Sequence, residues 1–194
     1  QGAIIAECNS TDTYCDTGGI TGRNYGDITN SYSVSTIIAS VSGASYPYSF
    51  TGGLVGRNFG SVTTSYSAGT VIVNGSWPYS ETGGLVGKHD NNSLIKDSFS
   101  VSEIITNHYK TGALVGYTAL SGSIENSYIF DEMSIQRNGG YITPIDANFE
   151  GINTIANINL NNPAWYIDVL HFDETIWDFT NVSTTGIYPT LIQD

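Results

Sequence analysis

Positive charge is the scarcest commodity in this chain. Lys and Arg number 6 against 18 acidic residues, which gives a formal net charge of −12 and a pI near 4.3. Without a basic patch there is no electrostatic footprint for nucleic acid or for an anionic membrane surface. No apolar run approaches the roughly 20 residues that a spanning helix needs. Cysteine is limited to Cys8 and Cys15, a pair that cannot make a zinc site alone. Histidine is limited to His89, His108 and His171, two in expected solvated turns and one in the tail, none with a second ligand at helical spacing. Charged residues as a whole are 12% of the chain, about half the usual share. Ser, Thr, Asn and Tyr carry the polarity instead, and these suit flat strand faces exposed to water.

What the chain has in quantity is glycine, and it is periodic. Thr17-Gly-Gly-Ile-Thr-Gly22, Thr51-Gly-Gly-Leu-Val-Gly56, Thr82-Gly-Gly-Leu-Val-Gly87 and Thr111-Gly-Ala-Leu-Val-Gly116 begin 34, 31 and 29 residues apart. Each is followed by a Ser-aromatic pair: Ser31-Tyr32, Ser65-Tyr66, Ser98-Phe99 and Ser127-Tyr128. A period near 30 residues marks supersecondary units that bury a continuous core only when stacked. Each unit reads as three strands: the Gly-Gly-Leu-Val stretch, an alternating run such as Val62 to Gly69, and a β-branched run such as Thr70-Val71-Ile72-Val73. The expected fold is all-β, a parallel β-solenoid (β-helix) of about four three-stranded coils. Right-handed coiling follows from the general preference of parallel crossovers. Leu54, Leu85, Leu114 and Ile20 are expected to stack as one core ladder, beside a ladder of Tyr32, Tyr66, Phe99 and Tyr128.

Residues 52–71, Gly-Gly-Leu-Val-Gly-Arg-Asn-Phe-Gly-Ser-Val-Thr-Thr-Ser-Tyr-Ser-Ala-Gly-Thr-Val, resemble the GLUG-motif repeat of bacterial and archaeal surface proteins. The resemblance covers residues 17–130. It departs from the motif at the longer turn of the third repeat and at Ala113, which stands where the motif has its second glycine. It extends to the tail through Phe172-Asp173, Ile176-Trp177 and Gly186-Ile187-Tyr188-Pro189-Thr190-Leu191. It implies an extracellular adhesin-like or structural module, sometimes beside a peptidase, and carries no catalytic residue.

Three segments follow. Residues 1–16 hold a short strand and the Cys8/Cys15 loop, 17–130 the solenoid, and 131–194 a C-terminal cap. The cap carries 9 of the 18 acidic residues, and Asn162 before Pro163 predicts a short helix to about Leu170. A chain that begins at Gln1 without methionine is expected of a mature product after signal cleavage, although a trimmed chain begins the same way. In that setting Cys8 and Cys15 are expected to form a local disulfide. Asn9, Asn74, Asn91 and Asn181 begin glycosylation sequons at about the chance frequency for this composition.

Two surface features stand out as binding candidates. Arg23, Arg57 and Lys88 each follow the motif's last glycine, so stacking aligns three like charges that need a ligand, a partner's acid or neighbouring carboxylates to relieve them. Tyr46 and Tyr48 around Pro47, and Trp77 and Tyr79 around Pro78, lie in register with Tyr109, and offer either a contact platform for sugars or proteins or a self-stacked corner. The apolar run Ala3-Ile4-Ile5-Ala6 must pair, either with its own first coil or with a neighbouring subunit by strand addition. No cofactor is expected. Calcium on Asp12, Asp16 or the Asp90 turn has no supporting loop spacing. Asp173 and Glu174, adjacent on a strand, would point to opposite faces and so make a poor acid-base pair.

The function expected from these residues is a non-enzymatic extracellular structural or adhesive module, a subunit of a cell-surface or filamentous assembly, with itself as partner in a head-to-tail filament or array. The alternatives are a glycan-binding adhesin module, contacting glycans or host and cell-surface proteins, and a β-helix polysaccharide-degrading enzyme. Clustered carboxylates in a groove would favour the enzyme, exposed aromatics the glycan binder and buried termini the filament.

Overall fold

The computed structural model of the chain describes residues 2–8, 14–42, 48–75, 80–143, 152–182 and 187–193. Its strands stack in parallel, coil on coil, into a β-solenoid of about four turns. Each coil has five short strands rather than the expected three. The first coil runs Tyr14–Gly18, Thr21–Asn24, Asp27–Thr29, Tyr32–Ser33 and Thr36–Val41, and its successors repeat the order. Five ladders result, designated I to V in that order.

The additional corners have local causes. The run from Val62 to Gly69 does not stay one strand, because Thr64 takes a left-handed conformation (φ 44°), as do Asn30, Asp97 and Asn126 at the same place in the other coils. Asn and Asp tolerate that region, whereas a β-branched Thr does so only when held. Thr64 is held: its hydroxyl donates to Asn30 Oδ1 at 2.7 Å. The corner sends Val62 into the solenoid core and Tyr66 to the opposite, outer side. Directly after the corner, the amides of Ser31, Ser65 and Ser98 donate to the hydroxyls of Ser65, Ser98 and Ser127 in the next coil, at 3.1, 3.2 and 3.4 Å.

Leu54, Leu85 and Leu114 are fully buried inside the coils with Val62, Ile95, Val71 and Ile104. Ile20 is 51% exposed, because its first-coil position has no coil outside it. At the second glycine of the motif a side chain would strike the next coil: a Cβ on Gly84 would overlap the Ala113 carbonyl and Ser100. Ala113 is tolerated because ladders I to III end with its coil. The repeat breaks its own rule where no further strand of ladders I to III follows among the described residues.

The tail does not simply cover the last coil. Ile152–Ile155 adds to ladder IV, and the antiparallel strand Gly140–Ile142 closes ladder V. Beyond them the chain turns back along the outer flank. The expected helix forms at Pro163–Asp168, with Asn162 capping it through its side chain to the Ala164 amide, and a one-turn helix at Asn157–Leu160 precedes it. Trp165, Tyr166, Phe172 and Trp177 then bury the aromatic ladder of Tyr66 and Phe99 from outside. The tail is therefore a lid on the flank, and the aromatic ladder belongs to that second core rather than to the coil interior.

At the other end Ala3–Cys8 pairs in parallel with Thr36–Val41, from Ala3 opposite Thr36 to Cys8 opposite Val41. One edge of the N-terminal run thus pairs with its own first coil, the first of the two pairings open to it. The Cys8–Cys15 disulfide ties this strand to the first strand of ladder I.

Candidate functional site

Ladders I and II lie against each other because the chain doubles back between them at the paired glycines. The residue before each Thr therefore meets the residue after the motif's last glycine. One column holds Asp16, Phe50, Glu81 and Lys110 in register. The facing column holds Arg23, Arg57, Lys88 and Tyr117.

The like charges of Arg23, Arg57 and Lys88 are adjacent, as their spacing requires, and carboxylates of the same chain relieve two of them. Arg23 pairs with Asp16. Arg57 grips Asp90 with two bonds, Nε to Oδ2 at 2.6 Å and Nη2 to Oδ1 at 3.2 Å. Lys88 has no carboxylate at ion-pair distance among the described residues, and its ammonium lies 4.8 Å from the Phe50 ring and 5.7 Å from that of Tyr117. Lys110 donates to Glu81 Oε1 at 3.0 Å and sits 4.1 Å from the Tyr117 ring. Glu81 is the most confined of the group: its side chain is 4% exposed, and its other oxygen has no hydrogen-bond partner among the described residues. Burial pushes its carboxyl up, against the pull of Lys110. Burial raises Asp16 as well, opposed by Arg23. Four cations face three carboxylates in this strip, so it holds a local positive surplus on an acidic protein.

Aromatic rings border the strip. Tyr14 and Tyr48 stack at 5.2 Å, and Arg57 lies 5.2 Å from the Tyr14 ring. The exposed Tyr25 stacks on Phe59 at 4.8 Å. Tyr109 is exposed, with the Arg137 guanidinium 5.5 Å from its ring. Tyr46, Trp77 and Tyr79 lie outside the described residues, as do Asn9 and Asp12. Asn74, Asn91 and Asn181 are exposed, although Ser93, which completes the Asn91 sequon, is buried with its hydroxyl bonded to His89 and Asp90. Asp16 and Asp90, the described carboxylates considered for calcium, are each turned to a guanidinium.

The histidines depart from expectation. His89 and His108 are buried, not solvated, and burial pushes each imidazole down to about 4. His89 occupies the register of Asn24 and Asn58, and the three form a buried polar column: Asn24 Nδ2 donates to Asn58 Oδ1 at 2.8 Å, and Asn58 Nδ2 lies 3.3 Å from His89 Nδ1. His108 Nδ1 lies 2.9 Å from the Thr82 hydroxyl, and its Nε2 has no hydrogen-bond partner among the described residues. His171 is exposed and meets Asp97 at 3.2 Å. That is a base with an orienting acid, but no hydroxyl or thiol among the described residues completes it. Asp173 lies in a turn, where it accepts from the amide and hydroxyl of Thr175.

Glu81 and Lys110 escaped the sequence reading, which weighed Asp16 and Asp90 for calcium and did not match them to Arg23 and Arg57. Aligning the residue before each Thr with the one after the last glycine would have revealed the facing columns.

The architecture makes this chain a parallel β-solenoid with a flank-covering tail. No family model and no curated protein matches it. Its fold is similar to the crystal structure of a "putative immunoglobulin A1 protease" from Bacteroides ovatus, with a TM-score of 0.59 at 20% identity, over 97% of this chain and 74% of that one. A likeness at that identity concerns the fold alone. None of the described helices is long and apolar enough to cross a membrane.

Proposed function

We propose that this chain is a non-enzymatic extracellular module with a structural or adhesive role, of the kind its GLUG-like repeats imply, and that copies of it associate through the first coil. The free edge of ladder V carries this reading. Ala3–Cys8 is the terminal strand of that ladder, six residues long, without Pro or Lys and in unbroken register with its inner neighbour. Native edges are usually blunted by lysines, prolines or bulges, and Glu7 is the one charge on this strand. Ile5 on it is 67% exposed and heads a column of Ile38, Ile72 and Ile105 along the outer face. The far end is less receptive, since ladders IV and V end there on the short strands Ile152–Ile155 and Gly140–Ile142. Two copies therefore meet edge strand to edge strand about a two-fold axis, rather than head to tail. The disulfide supports an oxidising, extracellular setting.

Sedimentation equilibrium over a range of concentrations tests this. The intact chain should form a reversible dimer, and Ile5→Lys should leave monomers with unchanged circular dichroism. A monomer at all concentrations would end the assembly reading.

A second reading, glycan or protein binding by the strip around Lys88, is favoured by the surplus cation beside exposed rings. A protease role, suggested by the neighbour's name, finds support only in His171 and Asp97, which lack a nucleophile among the described residues.

A further inference from the structure

We propose that the cleft between Tyr32 and the C-terminal tail is a binding subsite for one neutral sugar ring of a glycan. It arises from the way the aromatic ladder ends. Tyr32 stacks on Tyr66 at 5.1 Å with an interplanar angle of 8°, and Tyr66 on Phe99 at 4.8 Å and 12°. The tail seals the inner rings: Tyr66 and Phe99 are buried, and the Tyr66 hydroxyl donates to the Pro189 carbonyl at 2.6 Å. Tyr32 belongs to the terminal strand of ladder IV. One face of its ring lies on Tyr66, and Trp177 approaches at 6.0 Å with a tilt of 47°. No stacked ring covers the other face among the described residues.

Tyr32 lines an open cavity of about 560 Å³, together with Asp178, Thr180, Thr190, Ile192 and Gln193. That size lies within the roughly 300 to 1,000 Å³ typical of small-ligand sites. The polar members are fixed in place. Trp177–Asp178 pairs antiparallel with Thr190–Leu191, which sets Asp178 opposite Thr190. Asp178 Oδ1 accepts from the Thr180 amide at 2.8 Å and from its hydroxyl at 2.5 Å. Those bonds hold the carboxyl below its usual range, so Asp178 stays an ionised acceptor.

The chemistry of the lining selects the ligand. A flat aromatic face suits the C–H face of a pyranose, while hydroxyls around the ring edge need acceptors and donors at the perimeter. Asp178 accepts, the Thr180 hydroxyl, whose proton is given to Asp178, accepts as well, and the Thr190 hydroxyl and the Gln193 amide do both. No Lys or Arg lines the cavity, and an ionised carboxylate does, which disfavours phosphates, uronic acids and other anions. The open form fits the end or a branch of a longer glycan, not an engulfed metabolite. This subsite is separate from the strip around Lys88 and is inferred independently of any association of copies.

Trp177 beside Tyr32 supplies a fluorescence reporter, to be read with saturation-transfer NMR on the full chain. The probes are methyl glycosides of glucose, galactose, mannose and N-acetylglucosamine, with glucuronic acid as the anionic control. At least one neutral glycoside should saturate in the millimolar range, and glucuronic acid should not. Tyr32→Ala and the surface change Asp178→Asn should each weaken that binding about tenfold or more, whereas Tyr141→Ala, an exposed ring at the other end of ladder V, should leave it unchanged. Lack of saturation by every neutral glycoside would overturn the proposal. So would binding that survives both Tyr32→Ala and Asp178→Asn, or that is lost in Tyr141→Ala.

Discussion

The indole N–H of Trp177 donates to Asn30 Oδ1 at 3.3 Å across 147 residues of sequence. Asn30 is the left-handed corner of the first coil, and Trp177 comes from the tail that follows the last. The C-terminal segment is therefore fastened to the start of the solenoid, and the two ends unfold together. Trp177→Ala, which empties a buried site and removes this bond, should cost about 3 to 5 kcal/mol in chemical denaturation. Trp177→Phe should recover most of it, leaving a deficit of about 1 kcal/mol for the lost hydrogen bond.

The leucine column gives an internal contrast. Leu85 is fully buried between Leu54 and Leu114, whereas Ile20, at the same place in the first coil, is half exposed. Leu85→Ala should cost about 2 to 5 kcal/mol and Ile20→Ala less than about 1 kcal/mol, since little apolar area leaves water there. Equal losses measured by denaturation would show that the first coil is covered in solution.

Acid should loosen the fold before it neutralises the surface carboxylates. His89 and His108 have imidazoles held down to about 4 by burial, against an ordinary 6.5. As pH falls from 6.5 toward 4, the unfolded chain takes up protons that the folded one refuses, so stability declines over that window by on the order of 3 kcal/mol for each histidine. Glu81 and Asp16 act in the opposite sense, because burial raises their carboxyls and ionising them costs stability as pH rises above their ordinary values. His89→Asn, which copies the residue at that register in the two preceding coils, should flatten the slope measured by denaturant titration at successive pH values.

The Glu81–Lys110 pair sets a second pH dependence. Removing the ammonium in Lys110→Met leaves a buried carboxylate with neither oxygen satisfied and should cost about 1 to 3 kcal/mol at pH 7. The loss should shrink as pH drops and Glu81 protonates, and Glu81→Gln should restore most of it at neutral pH. A loss independent of pH would remove the ion pair from the explanation.

How much of this was legible depended on which force set each feature. Leu54, Leu85 and Leu114 could be aligned from sequence, because the Thr-Gly-Gly register fixes their stacking. The helix at Pro163–Asp168 was legible too, since Asn162 and Pro163 dictate its start locally. Thr64 hid a corner, because nothing in a β-branched residue announces a left-handed backbone; the hydrogen bond to Asn30 one coil away holds it. Trp165, Phe172 and Trp177 showed that the tail must bury something, but not that the something was the flank, because that choice is made by tertiary packing. At the charged strip, the stacking of Arg23 on Arg57 followed from spacing, whereas the relief of Arg57 by Asp90 needed the geometry of the longer turn. His89 looked like a turn residue, and its burial in the asparagine column was invisible without the coil register.

The association through the first coil is tested most directly at its backbone. Thr36 and Ser42 donate to the carbonyls of Gly2 and Cys8, so the alternation of a parallel pair turns the amides of Ala3, Ile5 and Glu7 to the free edge. Amide hydrogen exchange at Ile5 and Glu7 should be slow at high protein concentration, fast on dilution, and fast throughout in Ile5→Lys at the Glu7 amide. Fast exchange of both amides at every concentration would contradict the account.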